Sequence, residues 1–171
     1  EGLSHYSEEK FINFGKKEGM SGVLTYQIMQ AKDNSYWVAT DKGLSHIVDN
    51  QFTHFDMNDG LSDNRVNRII ESNDGGLWLA TANGLSKFIE GEFSNWNEND
   101  GLPSKWLNDI YEDKKGGLWI AGTKGLSYFI DGHFNTWTTK DGLPHNNCTV
   151  IIQGKNNDMW IGTTRGISIF D

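Results

Sequence analysis

The sequence predicts an all-β fold, a β-propeller built of four 41-residue, four-stranded blades. Three observations predict it. The first is a period. Trp37, Trp78, Trp119 and Trp160 lie 41 residues apart, as do Gly43, Gly84, Gly125 and Gly166, each followed by Leu or Ile and then Ser. Phe11, Phe52, Phe93 and Phe134 form a further column, and Gly19, Gly60, Gly101 and Gly142 another. The second is local pattern: short runs rich in β-formers, separated by turns of Gly, Asn and Asp. The third is composition. Twenty Gly and seven Trp against two Pro in 171 residues suit many tight turns and short strands. A period of roughly 40–45 residues fits either a propeller blade or a helical array, and the local pattern favours the blade.

The elements follow in order. Using the copy that begins near residue 65, the inner strand is expected at roughly 65–72, the second at 77–81, the third at 84–89 and the outer at 92–97. Leu77–Thr81 is apolar and bounded by glycines. Gly84–Ile89 follows after a tight turn, and in the outer strand Phe93 and Trp96 frame a polar pair. The inner strand is the ambiguous one. Val66, Ile69 and Ile70, like Leu107, Ile110 and Tyr111, have the i, i+3, i+4 spacing of a helix. The segment is short and lies between glycine turns, so it reads as a strand carrying a bulge.

The copies align without insertion as repeats 2–42, 43–83, 84–124 and 125–165 of one domain, 1–171, with a partial strand at 166–171. The chain is therefore expected to open on the third and outer strands of one blade. It continues through three whole blades and ends on the inner, second and third strands of a last one. Two assemblies fit this arithmetic: a closed four-bladed ring, in which residues 9–15 supply the missing outer strand of the last blade, or half of a larger ring. The closed ring is strained by a duplication, because Gly2-Leu3-Ser4 and Gly166-Ile167-Ser168 are both third strands.

Composition excludes several functions. A net charge of -8 disfavours binding to a phosphate backbone. No apolar run is long enough to span a bilayer, so no membrane contact by this segment is expected. The opening residues lack the basic and apolar regions of a signal peptide. One cysteine, Cys148, allows neither an internal disulfide nor a cysteine-based zinc site.

The recurring string is clearest in the third copy: Asp100-Gly101-Leu102-Pro103, then Tyr111-Glu112-Asp113, Gly117-Leu118-Trp119-Ile120 and Gly125-Leu126-Ser127. It resembles the two-component regulator propeller repeat, and the resemblance covers the whole chain. The resemblance implies extracytoplasmic (periplasmic) sensor blades of bacterial signalling proteins, placed ahead of a membrane helix and a kinase or cyclic-dinucleotide output. It also implies rings usually of seven blades, where this chain has about four, and oligosaccharides as frequent ligands.

Candidate ligand residues are those that escape the repeat. One column reads Leu24, Arg65, Trp106, Asn147, just before the inner strand at the expected mouth of the axial funnel. Asn64, Lys105 and Asn146 precede it. Lys42, Asn83, Lys124 and Arg165 occupy the turn between the second and third strands, expected on the same face, where three cations suit an anionic ligand. Six of the seven Trp fall in repeated columns and read as packing between blades; Trp106 alone does not.

No catalytic, cofactor or metal site is expected. Asp56–Gly60 lacks the alternating ligands of an EF-hand loop, and turn formation accounts for its Asp-Gly. Ser72–Trp78 is one residue short of an Asp-box, and the three arginines make no sialidase-type cluster. Cys148 sits in an apolar column and reads as a packed thiol. His5 and His46 share one strand position, and Asn147-Cys148-Thr149 is a lone glycosylation sequon. The leading functional expectation is a non-enzymatic, ligand-binding sensor blade array. The alternatives are a scaffold that completes its ring as a homo-oligomer and, more weakly, a propeller lyase or glycosidase.

Overall fold

The computed structural model describes residues 2–170. It contains five antiparallel sheets and four single 3-10 turns. The first sheet holds β1 (Leu3–Ser7) and β2 (Lys10–Phe14). The second holds β3 (Thr25–Gln30), β4 (Tyr36–Thr40), β5 (Gly43–Val48) and β6 (Gln51–Phe55). The third holds β7 (Val66–Glu71), β8 (Leu77–Thr81), β9 (Gly84–Ile89) and β10 (Glu92–Trp96). The fourth holds β11 (Leu107–Glu112), β12 (Leu118–Gly122), β13 (Gly125–Ile130) and β14 (His133–Trp137). The fifth holds β15 (Cys148–Gln153), β16 (Met159–Thr163) and β17 (Gly166–Phe170). Each is an up-and-down meander, so the three four-stranded sheets are whole blades, as expected.

The helix-like spacing of the inner strand has a simple cause. Each inner strand carries a bulge, with register shifts at Thr25/Gln27, Val66/Arg68, Leu107/Asp109 and Cys148/Val150. One extra residue resets the alternation of a strand. Val66 and Ile69, three apart, therefore both reach zero exposure, as Leu107 and Ile110 nearly do.

Third and fourth strands are joined by two-residue turns with positive φ at both positions: Glu8 and Glu9, Asp49 and Asn50, Glu90 and Gly91, Asp131 and Gly132. This is the hairpin geometry whose twist matches the flanking strands. It also decides the fate of residues 9–15. β2 pairs with β1, Leu3 opposite Phe14, and does not cross to β17. The local hairpin prevails over the distant closure. The two copies of the Gly-Leu-Ser strand keep equivalent positions in separate sheets, and the arc stays open.

The core is a series of seams between neighbouring sheets. Trp37, Leu44, Leu61, Val66, Ile69 and Leu79 fill the seam of the second and third sheets. Trp78, Leu85, Leu102, Leu107, Ile110 and Ile120 fill the next. Trp119, Leu126, Cys148, Ile151 and Ile161 fill the one after it. The repeated Trp lies in each seam, with Trp37, Trp78 and Trp119 5–7% exposed. The sequence predicts the same packing for Trp160, but it is 42% exposed because, among the described residues, no sheet covers the outer face of the fifth. In the three whole blades the repeated third-strand serines, Ser45, Ser86 and Ser127, are buried. Ser86, for example, bonds Ser62 and Asn95, which ties the loop and the outer strand to the blade.

The loops leading into each inner strand are tight 3-10 turns closed by their own side chains. The Asp56 carboxylate accepts the Asn58 amide at 2.6 Å, and Asp59 accepts the Asp56 amide at 2.8 Å. Asn97 and Asp100, and Thr138 and Asp141, repeat the arrangement. These acids are occupied by backbone amides.

Gly84 opens the third strand at φ +115°, and a Cβ there would run into the carbonyl oxygen of Trp96. Gly84→Ala combines a left-handed backbone with a backbone clash and is expected to cost at least about 2 kcal/mol. Urea denaturation checks this against Gly91→Ala, where a Cβ meets nothing within 4 Å.

Candidate functional site

The inner strands β3, β7, β11 and β15 adjoin one another in succession and form the inner wall of the arc. At one end of that wall the two variable columns meet. The backbone carbonyls of Leu24, Arg65, Trp106 and Asn147 accept the amides of Asp41, Ala82, Thr123 and Thr164 in the second-to-third-strand turns. The carbonyls of Asn64 and Lys105 accept Gly43 and Gly84 of the preceding blade. Both turns therefore share one face, as the sequence indicates. In the first of these columns the fold uses the backbone and leaves the side chain free to vary.

Arg65 is half-buried, and its guanidinium carbon lies 4.7 Å from the ring centres of both Tyr26 and Trp106. Three consecutive blades thus contribute one residue each to an aromatic–cation–aromatic stack. Its Nε donates to Asn67 Oδ1 at 3.2 Å, and Asn67 in turn donates to the Leu107 carbonyl at 2.7 Å. One face of Trp106 is covered by the guanidinium. Tyr26 was not singled out from sequence. Its column, Tyr26, Asn67, Asn108 and Thr149, holds the bulge residues and is as variable as the one two positions earlier. That variability was the signal for it.

The other predicted residues divide. Asn147 Oδ1 accepts Asn108 Nδ2 at 3.2 Å on the same wall. Asn64 and Asn146 turn away into their own loops, accepting the amides of Met57 at 2.9 Å and Thr139 at 2.7 Å. Lys105, Lys42, Lys124 and Arg165 are exposed. Lys124 is paired with Glu98 at 2.7 Å. Lys42 and Arg165 stand on the first and last of the four turns, so the cations lie along an arc.

Below the stack, a column of inward polar groups stitches blade to blade. Gln27 accepts the Ile69 amide at 2.7 Å and donates to its carbonyl at 3.0 Å. Asp109, 5% exposed, accepts the amides of Ile110 at 3.0 Å and Ile151 at 2.9 Å and pairs with Arg68 Nε at 2.9 Å. Burial raises the Asp109 carboxyl above its ordinary range despite these partners. Burial likewise pushes the Cys148 thiol up to about 11, which leaves it a poor nucleophile. Among the described residues no group of three or more His, Cys, Asp or Glu is placed to hold a metal ion.

Residues 60–83, 101–124 and 142–165 match the family model of the two component regulator propeller. These three stretches are two-component regulator propeller repeats. Each matched stretch runs from the loop glycine through the second strand, and the three start 41 residues apart. The remaining copy carries Glu18-Gly19-Met20 and Asn34-Ser35-Tyr36 where the third has Asp100-Gly101-Leu102 and Gly116-Gly117-Leu118. Solved structures share the propeller arrangement. The extracellular domain of the putative hybrid two component system BT3049 from B. thetaiotaomicron aligns at a TM-score of 0.85 and 24% identity, over 96% of this chain and 24% of that one. The extracellular domain of the putative one component system BT4673 from B. thetaiotaomicron aligns at 0.82 and 20% identity, over 98% of this chain and 25% of that one. A streptogramin B lyase aligns at 0.69 and 18% identity, over 88% of this chain and 55% of that one. The repeat chain thus spans about a quarter of the length of the two extracellular domains. No curated protein sequence matches it. No helix among the described residues is long and apolar enough to cross a membrane.

Proposed function

We propose that these repeats are part of an extracytoplasmic, non-enzymatic sensor propeller that binds an oligosaccharide at the loop end of its inner wall. One observation carries the reading. The columns that build the blades repeat, whereas Tyr26, Arg65 and Trp106 stand in columns that vary and yet come together at one point. A position that the fold leaves free and that nonetheless joins a three-blade cluster is suited to recognition. The likeness to extracellular domains of signalling systems supports the location and the sensing role. The lyase likeness, at 18% identity, supports the fold alone.

A thermal-shift screen of the chain against neutral and acidic oligosaccharides tests this. A bound ligand raises the melting temperature, and Trp106→Ala removes the rise without unfolding the protein. If no oligosaccharide shifts the melting temperature, the reading fails.

A second reading, completion of the ring by a further copy, is favoured by the faces at the two ends of the arc. Tyr6, Phe11 and Ile12 at one end and Ile152, Ile167 and Ile169 at the other are 48–70% exposed. Light scattering decides it, because a mass of 19.3 kDa at all concentrations opposes assembly.

A further inference from the structure

We propose that Arg65 is an anion receptor, its guanidinium fork taking the carboxylate or sulfate group of an acidic oligosaccharide. This rests on the ligand-site reading above and gives it a substrate class.

The guanidinium is already held in place. The rings of Tyr26 and Trp106 each centre 4.7 Å from it, and Asn67 fixes its Nε. This placement removes much of the rotamer freedom that an arginine otherwise loses on binding, and the cation–π contacts hold it without neutralising it. Among the described residues Nε is its only donor with a side-chain partner, and it makes no ion pair with any carboxylate. The terminal N–H groups of the fork are left to donate to an external oxyanion, a geometry that suits a planar carboxylate or a sulfate in bidentate fashion.

The nearby acids do not compete for it. Asp63 accepts the backbone amide of Arg65 at 2.8 Å, Asp41 holds the amides of Val23 and Leu24, Asp109 is paired with Arg68, and Glu98 with Lys124. Exposed Lys105, next to Trp106 in the chain, adds positive charge to the same rim. The net charge of -8 opposes an anion, but the charges more than about 10 Å away are screened at 0.1 M salt. The arginine has no repeated structural duty either. Its column is otherwise Leu24, Trp106 and Asn147, and only the carbonyl is used in each copy.

Isothermal titration of the 171-residue chain tests the proposal. The probes are tetragalacturonate, a sulfated uronate-free tetrasaccharide of the carrageenan type, and neutral maltotetraose. At least one acidic probe binds, and maltotetraose binds on the order of tenfold more weakly or not at all. Which acid binds separates carboxylate from sulfate as the source of the charge. Arg65→Gln loses on the order of tenfold in affinity for that acid. Arg65→Lys, which keeps the charge and loses the fork, lies between. Both variants keep the parent melting temperature within a few degrees, so the loss is not unfolding. Arg65→Gln binding as tightly as the parent overturns the proposal. If maltotetraose binds as well as the acids and Trp106→Ala abolishes that binding, the anion receptor falls while the ligand site stands. If no probe binds, both fall.

Discussion

Replacing Trp78 with alanine is expected to cost about 3–5 kcal/mol of unfolding free energy, whereas the same change at Trp160, its counterpart two repeats later, costs about 1 kcal/mol. The two residues share a column and a strand position, so propensity and backbone effects are matched. Their surroundings differ. Trp78 is 5% exposed, packs against Trp96 at 5.4 Å and Phe129 at 6.0 Å, and carries the Lys87 ammonium 4.7 Å from its ring centre. Trp160 faces outward from the last sheet, and its Nε1 bonds Asp158 at 2.7 Å. Removing Trp78 leaves a cavity in a closed seam, while removing Trp160 trims a surface. Urea titrations of the two variants measure the contrast. Equal losses would mean that the outer face of the fifth sheet is covered in solution.

The second large effect is expected at Asp109. Asp109→Ala leaves the amides of Ile110 and Ile151 without their acceptor and Arg68 without its partner. A loss of about 2–4 kcal/mol follows, the upper end restrained because Arg68 still reaches water. Asp109→Asn keeps an acceptor and loses less. The pH dependence has a definite sign. A carboxyl whose folded-state value is raised binds its proton more tightly folded than unfolded. Its contribution to stability is fully present below the unfolded value, about 3.8, and is lost as pH rises through the higher folded value. The stability difference between parent and Asp109→Asn should therefore fall as pH rises from about 4. A difference that rises over that range contradicts the burial argument. Carboxyls held low by partners, such as Asp74 beside Lys87, act in the opposite sense and are common to both proteins.

Much of the architecture was legible because it repeats. Comparing copies within one chain separates what a blade requires from what one position happens to hold. That comparison located the sheets, the seam tryptophans and Trp106. The bulge was legible only as a conflict between helical spacing and short length, and the structure resolves it at Val66/Arg68. Closure was not legible. Whether an arc of blades meets itself depends on the angle between neighbouring sheets, which is set by packing across seams and not by any local pattern. The Arg65 stack was half legible. Its column stood out, but the bulge hides which strand residue faces it, so Tyr26 passed unnoticed. The pairing of Asp109 with the Ile151 amide, 42 residues on, was equally invisible, since it bridges two blades.

The most direct test of the account is the side-chain Nε–Hε resonance of Arg65, followed by NMR while the chain is titrated with the acidic tetrasaccharide that binds in calorimetry. The account predicts a resonance displaced by the flanking rings in the free protein, absent in Arg65→Gln, and shifting in step with the acidic probe but not with maltotetraose. An Arg65 resonance that stays still while the ligand saturates the protein elsewhere would contradict it.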